Sequence, residues 1–166
     1  MDRLWSPWRM QYVSGSGGDE GCIFCDHLAA GDDVRAGVLY RGASTFVLLN
    51  AFPYNTGHLM IAPQRHVGEL SDLARDEWHE IADLSSECVR IIGEAMAPHG
   101  FNVGMNLGAA AGAGIPGHLH VHVVPRWGGD TNFMTTVGET KVLPEMLAET
   151  DAKLRPLFEA LPTDAP

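Results

Sequence analysis

Short runs of alternating apolar and polar residues occupy the middle of the chain. Residues 37–41, 45–50 and 58–62 read as strands, and the link at residues 51–57 (AFPYNTG) carries the Pro, Asn and Gly of a turn. From residue 76 to about residue 98 the period lengthens. Trp78, Ile81, Leu84, Cys88, Ile91, Ala95 and Met96 fall on one helical stripe, which Pro98 and Gly100 end. Alternation returns in FNVGMNL (101–107), with Asn102, Gly104 and Asn106 on one face and Phe101, Val103, Met105 and Leu107 on the other. A Gly/Ala-rich loop at residues 108–117 leads into GHLHVHVVPR (117–126), which reads as a fifth strand. A last segment, residues 141–161, reads as helical but broken by Pro144 and Pro156. Strands and long helix are grouped rather than regularly alternating, so the pattern predicts an α+β fold on an antiparallel sheet.

Composition narrows what such a fold can do. The 166 residues suffice for one domain with a sizeable core. A formal net charge of −10 excludes broad, nonspecific binding to DNA or RNA, which needs a basic surface. It leaves room for a small phosphate-bearing ligand in a local pocket of amides and imidazoles. No apolar run is long enough to cross a membrane, and the start MDRLWSPWRMQYV lacks the apolar stretch of a signal peptide. With three cysteines, an odd number, a cytoplasmic location is expected. SGSGGDEG (14–21) reads as a flexible loop that separates an aromatic arm (Leu4, Trp5, Trp8, Met10, Tyr12) from CIFC; the arm is expected to dock on the domain or on a second subunit.

The candidate chemistry lies in the histidine strand. His118, His120 and His122 alternate with Leu119, Val121 and Val123, so strand geometry puts the imidazoles on one face, roughly 6–7 Å apart along the chain. Two uses compete. Imidazoles at alternate positions can share a catalytic metal that activates water. Alternatively, one is a nucleophile whose neighbours set its tautomer and bind a phosphate. The loop GAAAGAGIPG has no acidic residue, and its amides can approach a phosphate closely, which favours the second use.

His118-Leu119-His120-Val121-His122-Val123-Val124 resembles the signature of the histidine triad (HIT) superfamily at every position, and FVLLNAFPYNTGHLMIAPQRHV resembles the strands that precede it. The resemblance covers roughly residues 20–127. Within the superfamily, FNVGMNLG, RWGGDTNF and KVLPE look most like the bacterial diadenosine tetraphosphate phosphorylase and dinucleoside polyphosphate hydrolase branch. It implies a mainly antiparallel five-stranded sheet with one long helix and a C-terminal helical segment. The division is then an arm and loop at 1–21, a core at 22–127, and an extension at 128–166 packed on the same domain.

The resemblance further implies a homodimer without an organic cofactor, acting on a dinucleoside polyphosphate. His120 would attack the α-phosphorus, and water or orthophosphate would release the nucleotidyl group. His122 would bind phosphoryl oxygens, Asn106 and the amides around Gly112 and Gly114 would add neutral donors, Asn50 would hold the ribose, Leu48 would lie beside the base, and His58 would join the imidazole network. Hydrolytic members commonly carry a glutamine where this chain has Gly114, which leaves hydrolase against phosphorylase undecided. A zinc-dependent hydrolase and a non-catalytic nucleotide-binding module are the alternatives.

Cys22 and Cys25 have the spacing of half a zinc site, and a redox pair or unligated thiols are the other readings. Their partners would be histidines: His27, His66 or one of the triad. The resemblance selects His66 and His118, which implies a structural zinc on Cys22, Cys25, His66 and His118. Cys88, on the apolar helix stripe, is expected in the core.

Overall fold

The computed structural model describes residues 21–132 and 143–162. The aromatic arm and the expected start of the C-terminal helix at Lys141 lie outside them. Five strands, β1 (Val38–Arg41), β2 (Thr45–Leu49), β3 (Leu59–Pro63), β4 (Gly100–Met105) and β5 (Val121–Arg126), form one sheet. Their order is β1–β2–β3–β5–β4, and every neighbouring pair is antiparallel. Among the described residues four α-helices accompany them: α1 (Ile23–Ala29), α2 (Asp33–Ala36), α3 (Arg75–Met96) and α4 (Leu147–Glu159). The expected α+β fold with a five-stranded antiparallel sheet and one long helix is therefore present.

The sheet is covered on both faces, which explains why β2 and β3 are buried at every position. On one face Leu39, Val47, Leu49, Leu59, Ile61, Val121 and Val123 pack with Ile81, Leu84, Cys88, Ile91 and Ile92 of α3 and with Leu154 and Phe158 of α4. Each such fully buried side chain contributes about 1.5–3 kcal/mol of transfer free energy. On the other face Val38, Phe46, Leu48, Met60 and Ala62 pack with Phe24 of α1. Met60 pairs with His122, so this second face carries the triad.

Several local expectations are corrected. β5 begins at Val121, so His118 and His120 precede the ladder and only His122 lies in it. Trp78 was placed on the buried stripe but is 43 % exposed, because it stands beside the stripe that Ile81, Leu84 and Cys88 bury. Val103, in the edge strand β4, and Leu107, beyond its end, are half-exposed. Phe101 and Met105, which share their face, do pack against the core. Pro144 precedes α4 and Pro156 lies inside it rather than breaking it. Near a helix end a proline removes one hydrogen bond, and the fully buried Leu154 and Phe158 hold the last turns in place. Both α1 and α2 were missed: at seven and four residues they are too short for a periodicity to register.

Candidate active site and metal centre

The turn between β2 and β3 sets the first imidazole. Gly57 has φ +76°, a left-handed conformation that strains a residue with a side chain, and a Cβ there would also press on Met96 Sδ and the Pro125 ring just before His58. The Tyr54 amide then donates to His58 Nδ1 at 3.0 Å, which puts the His58 proton on Nε2. His58 Nε2–H donates to His122 Nδ1 at 2.9 Å, so the His122 proton also sits on Nε2. That Nε2 is buried without a protein partner among the described residues. His120 donates from Nδ1 to the His118 carbonyl at 2.8 Å, and its Nε2 keeps a free lone pair. Three neutral rings thus end in one acceptor and one donor, with His120 and His122 centroids 4.9 Å apart.

Burial keeps these rings neutral. His58 is lowered to about 3, first by burial and then by the nearby His122 and His120 imidazoles. His122 is lowered to about 4 by burial and by His120, and burial also holds His120 below the usual histidine range.

A cleft of about 420 Å³ opens over this group, lined by Ile23, Phe24, His27, Leu48, Asn50, Tyr54, Met60, Gly114, Ile115, His120 and His122 among others. The structure therefore brings Leu48, Asn50, Gly114, His120 and His122 to one cleft, with His58 behind His122. Asn50 is held by an Asx turn, accepting from the Phe52 amide at 2.9 Å, with its Nδ2 3.3 Å from His58 Nδ1. Asn106 and Gly112 lie outside the lining, and Asn106 Nδ2 is 3.5 Å from the Gly112 carbonyl. Gly112 has φ +90° and closes the 3-10 turn Ala109–Ala111. Sequence reasoning missed Ile23, Phe24, His27, Tyr54 and Ile115 as cleft residues. Ile23 and Phe24 sit inside CIFC, which had drawn attention only for its thiols.

On the far side of His118 a second group converges. The donor atoms of Cys22, Cys25, His66 and His118 lie within 4.8 Å of one another, and His120 and His122 are not part of the cluster. Cys22 Sγ stands 3.1 Å from His118 Nδ1, Cys25 Sγ 3.4 Å from His66 Nδ1 and 3.7 Å from His118 Nδ1. A tetrahedral zinc at ordinary bond lengths separates sulfur and nitrogen ligands by about 3.6 Å. His118 donates from Nε2 to the Pro63 carbonyl at 2.8 Å, so its Nδ1 lone pair faces the thiols. Two thiols and two imidazoles without a carboxylate are a zinc-type donor set. His27 faces elsewhere, with Nδ1 2.5 Å from the Ala36 carbonyl.

Residues 32–129 match the HIT domain family. The chain belongs to that family. Among its HIT relatives is the AP-4-A phosphorylase of Mycobacterium tuberculosis, 42 % identical over 158 residues that make up 90 % of this chain and 80 % of that protein. The asymmetrical bis(5'-nucleosyl)-tetraphosphatase of Schizosaccharomyces pombe is 31 % identical over 93 residues, 56 % of this chain and 50 % of that protein. A zinc-bound histidine triad family protein of Mycobacterium smegmatis shares the fold, with a TM-score of 0.61 at 22 % identity over 91 % of this chain and 95 % of that one. No helix among the described residues of this HIT protein is long and apolar enough to cross a membrane.

Proposed function

We propose that the protein transfers a nucleotidyl group from a dinucleoside polyphosphate of the diadenosine tetraphosphate type to orthophosphate, through a covalent intermediate on His120. The observation that carries the reading is the pairing of a free His120 Nε2 lone pair with the buried, partnerless Nε2–H of His122 in one cleft. An acceptor-and-donor pair of this kind suits attack at a phosphorus whose oxygens gain negative charge.

The His120 Nε2 lone pair forms a bond to the α-phosphorus, and the bond to the bridging oxygen breaks. The nucleoside polyphosphate leaves with that electron pair. His122 Nε2–H, backed by His58, donates to a phosphoryl oxygen throughout. Orthophosphate oxygen then attacks the phosphoramidate and Nε2 recovers its lone pair. Diadenosine tetraphosphate and orthophosphate would give ADP and ATP; with water the products would be AMP and ATP.

The neutral, mostly apolar cleft wall of Ile23, Phe24, Leu48, Met60 and Ile115 suits a base, with Leu48 beside it and Asn50 at the ribose. Asn106, Gly112 and Gly114 are assigned to the phosphate side. Gly114 lines the cleft without a side chain, which leaves room for orthophosphate as acceptor. The phosphorylase relative points the same way. Zinc is assigned to Cys22, Cys25, His66 and His118, a closed set that would serve structure. Two copies are proposed to pair, since β4 presents a free edge with Val103 half-exposed. The working compartment is the cytoplasm.

Turnover of diadenosine tetraphosphate in phosphate-free and phosphate-rich buffer tests the acceptor. ADP in phosphate-rich buffer is expected; AMP in both buffers would make the protein a hydrolase. Nucleotide binding without any turnover would leave it a binding module.

A further inference from the structure

We propose that the Cys22/Cys25/His66/His118 centre is a positioning device for the nucleophile. It holds the His118 carbonyl against Nδ1 of His120 and the Phe24 ring against the His120 imidazole. The inference rests on the nucleotidyl-transfer reading for what His120 does.

The reason lies in where the sheet stops. The last residue of β5 paired with β3 is Val121, opposite Ile61, so the ladder does not reach His118–His120. Yet the carbonyl that accepts from His120 Nδ1, and thereby leaves Nε2 free, belongs to His118. Among the described residues, backbone bonds outside the strands restrain this segment from the Leu119 amide to the Val67 carbonyl at 2.7 Å and from the His118 amide to the Ile115 carbonyl at 3.3 Å. A further restraint is the His118 ring itself, fully buried, tied through Nε2 to Pro63 and through Nδ1 to the two thiols. Thiols alone are weak hydrogen-bonding partners, whereas a metal bound by all four groups fixes the ring and with it the backbone that bears it.

The same thiols fix the other side of His120. Phe24 stands between Cys22 and Cys25, is 1 % exposed, and has its ring centroid 5.0 Å from His118 and 4.9 Å from His120. Phe46 supports it edge-on at 6.3 Å. Ile23 and His27, on the same short helix, also line the cleft. One four-residue motif thus supplies two ligands and the ring that packs on the nucleophile. Cys22, Cys25, His66 and Phe24 are positioning residues, and none of the four is the attacking group.

The test uses full-length protein loaded with zinc, the same protein stripped by chelation, and the stripped protein refilled. Two quantities are read below the melting midpoint at one fixed pH: nitrogen NMR of the His120 ring, and the single-turnover rate of adduct formation with diadenosine tetraphosphate by intact mass. Stripping should convert His120 from one tautomer, protonated on Nδ1, to a mixture, and slow adduct formation about 10- to 100-fold. Refilling with zinc should restore both. A folded, stripped protein that keeps the single tautomer and its rate within twofold would overturn the proposal.

Should stripping unfold the chain, Phe24→Leu decides instead. It should keep one zinc per chain and still slow adduct formation severalfold; an unchanged rate counts against the proposal. If loaded wild type forms no adduct at all, the nucleotidyl-transfer reading falls, while the tautomer change still decides the coupling.

Discussion

His118 and His122 stand four residues apart, both buried, and their surroundings prepare them for different work. His118 meets two thiols and a fourth donor, His66, and its other nitrogen is occupied by a carbonyl. His122 meets the His58 and His120 imidazoles and the Tyr54 ring, accepts from His58 and, among the described residues, keeps an unpartnered N–H. One end of the segment therefore gathers lone pairs around a point, as a cation requires. The other end alternates donor and acceptor, as a phosphoryl group requires. Side-chain type is identical at the two ends, so the difference comes from which partner occupies the second nitrogen and which atoms surround the first.

The comparison breaks most severely at the residue between the two ends. His120→Ala should lower kcat for diadenosine tetraphosphate on the order of 10³-fold or more, with zinc content unchanged. Wild-type turnover by that protein would remove His120 from the chemistry.

At the thiol end, Cys22→Ser should lose zinc by metal analysis and lower the thermal midpoint by roughly 10 °C, since 1 kcal/mol corresponds to about 2–4 °C for a chain of this size. Full zinc occupancy in carefully purified Cys22→Ser protein would refute the ligand assignment.

At the imidazole end the effect is set by pH. Unfolded histidines titrate near about 6.5, whereas folded His122 and His58 titrate near 4 and 3. Between about pH 6.5 and these values the unfolded chain binds more protons, so stability drops as the pH is lowered and the loss is complete near pH 3. Above about pH 6.5 the contribution is flat. Thermal midpoints from pH 8 to pH 4 read this, and His58→Gln should show a shallower acid fall; parallel curves would contradict it.

Smallest of all is Cys88→Ala, a cysteine of α3 fully buried against the sheet face opposite the triad. Zinc content and turnover should match wild type, with a midpoint a few degrees lower for about 1 kcal/mol of lost packing. A loss of zinc here would show that the cluster draws on more than its four ligands.

Much of this was legible in the linear order of residues. Four of the strands and the long helix appear within one or two residues of their expected limits, because strong period-two and period-3.6 patterns are local properties; the fifth strand begins four residues later than expected. The triad and CIFC were legible as chemistry, since few structural needs place three imidazoles at alternate positions. The convergence of Cys22 and Cys25 with His66 and His118 came from the family resemblance, not from spacing. Short helices such as α1, the exposure of Trp78 and Val103, and the true start of β5 were not legible. Each depends on what packs against the segment, and periodicity carries no information about that.

By itself, then, the sequence determined the fold class, the shared face of the histidines and the identity of the thiols, because these follow from backbone period and side-chain chemistry. Only the tertiary structure decided which imidazole meets which partner. His58, 64 residues from His122, must be folded beside it before a tautomer is set. Phe24 must be folded against His120 before the thiol segment becomes a wall of the cleft. Proton placement and packing are properties of neighbours in space, and the sheet with its short covering helix supplies those neighbours.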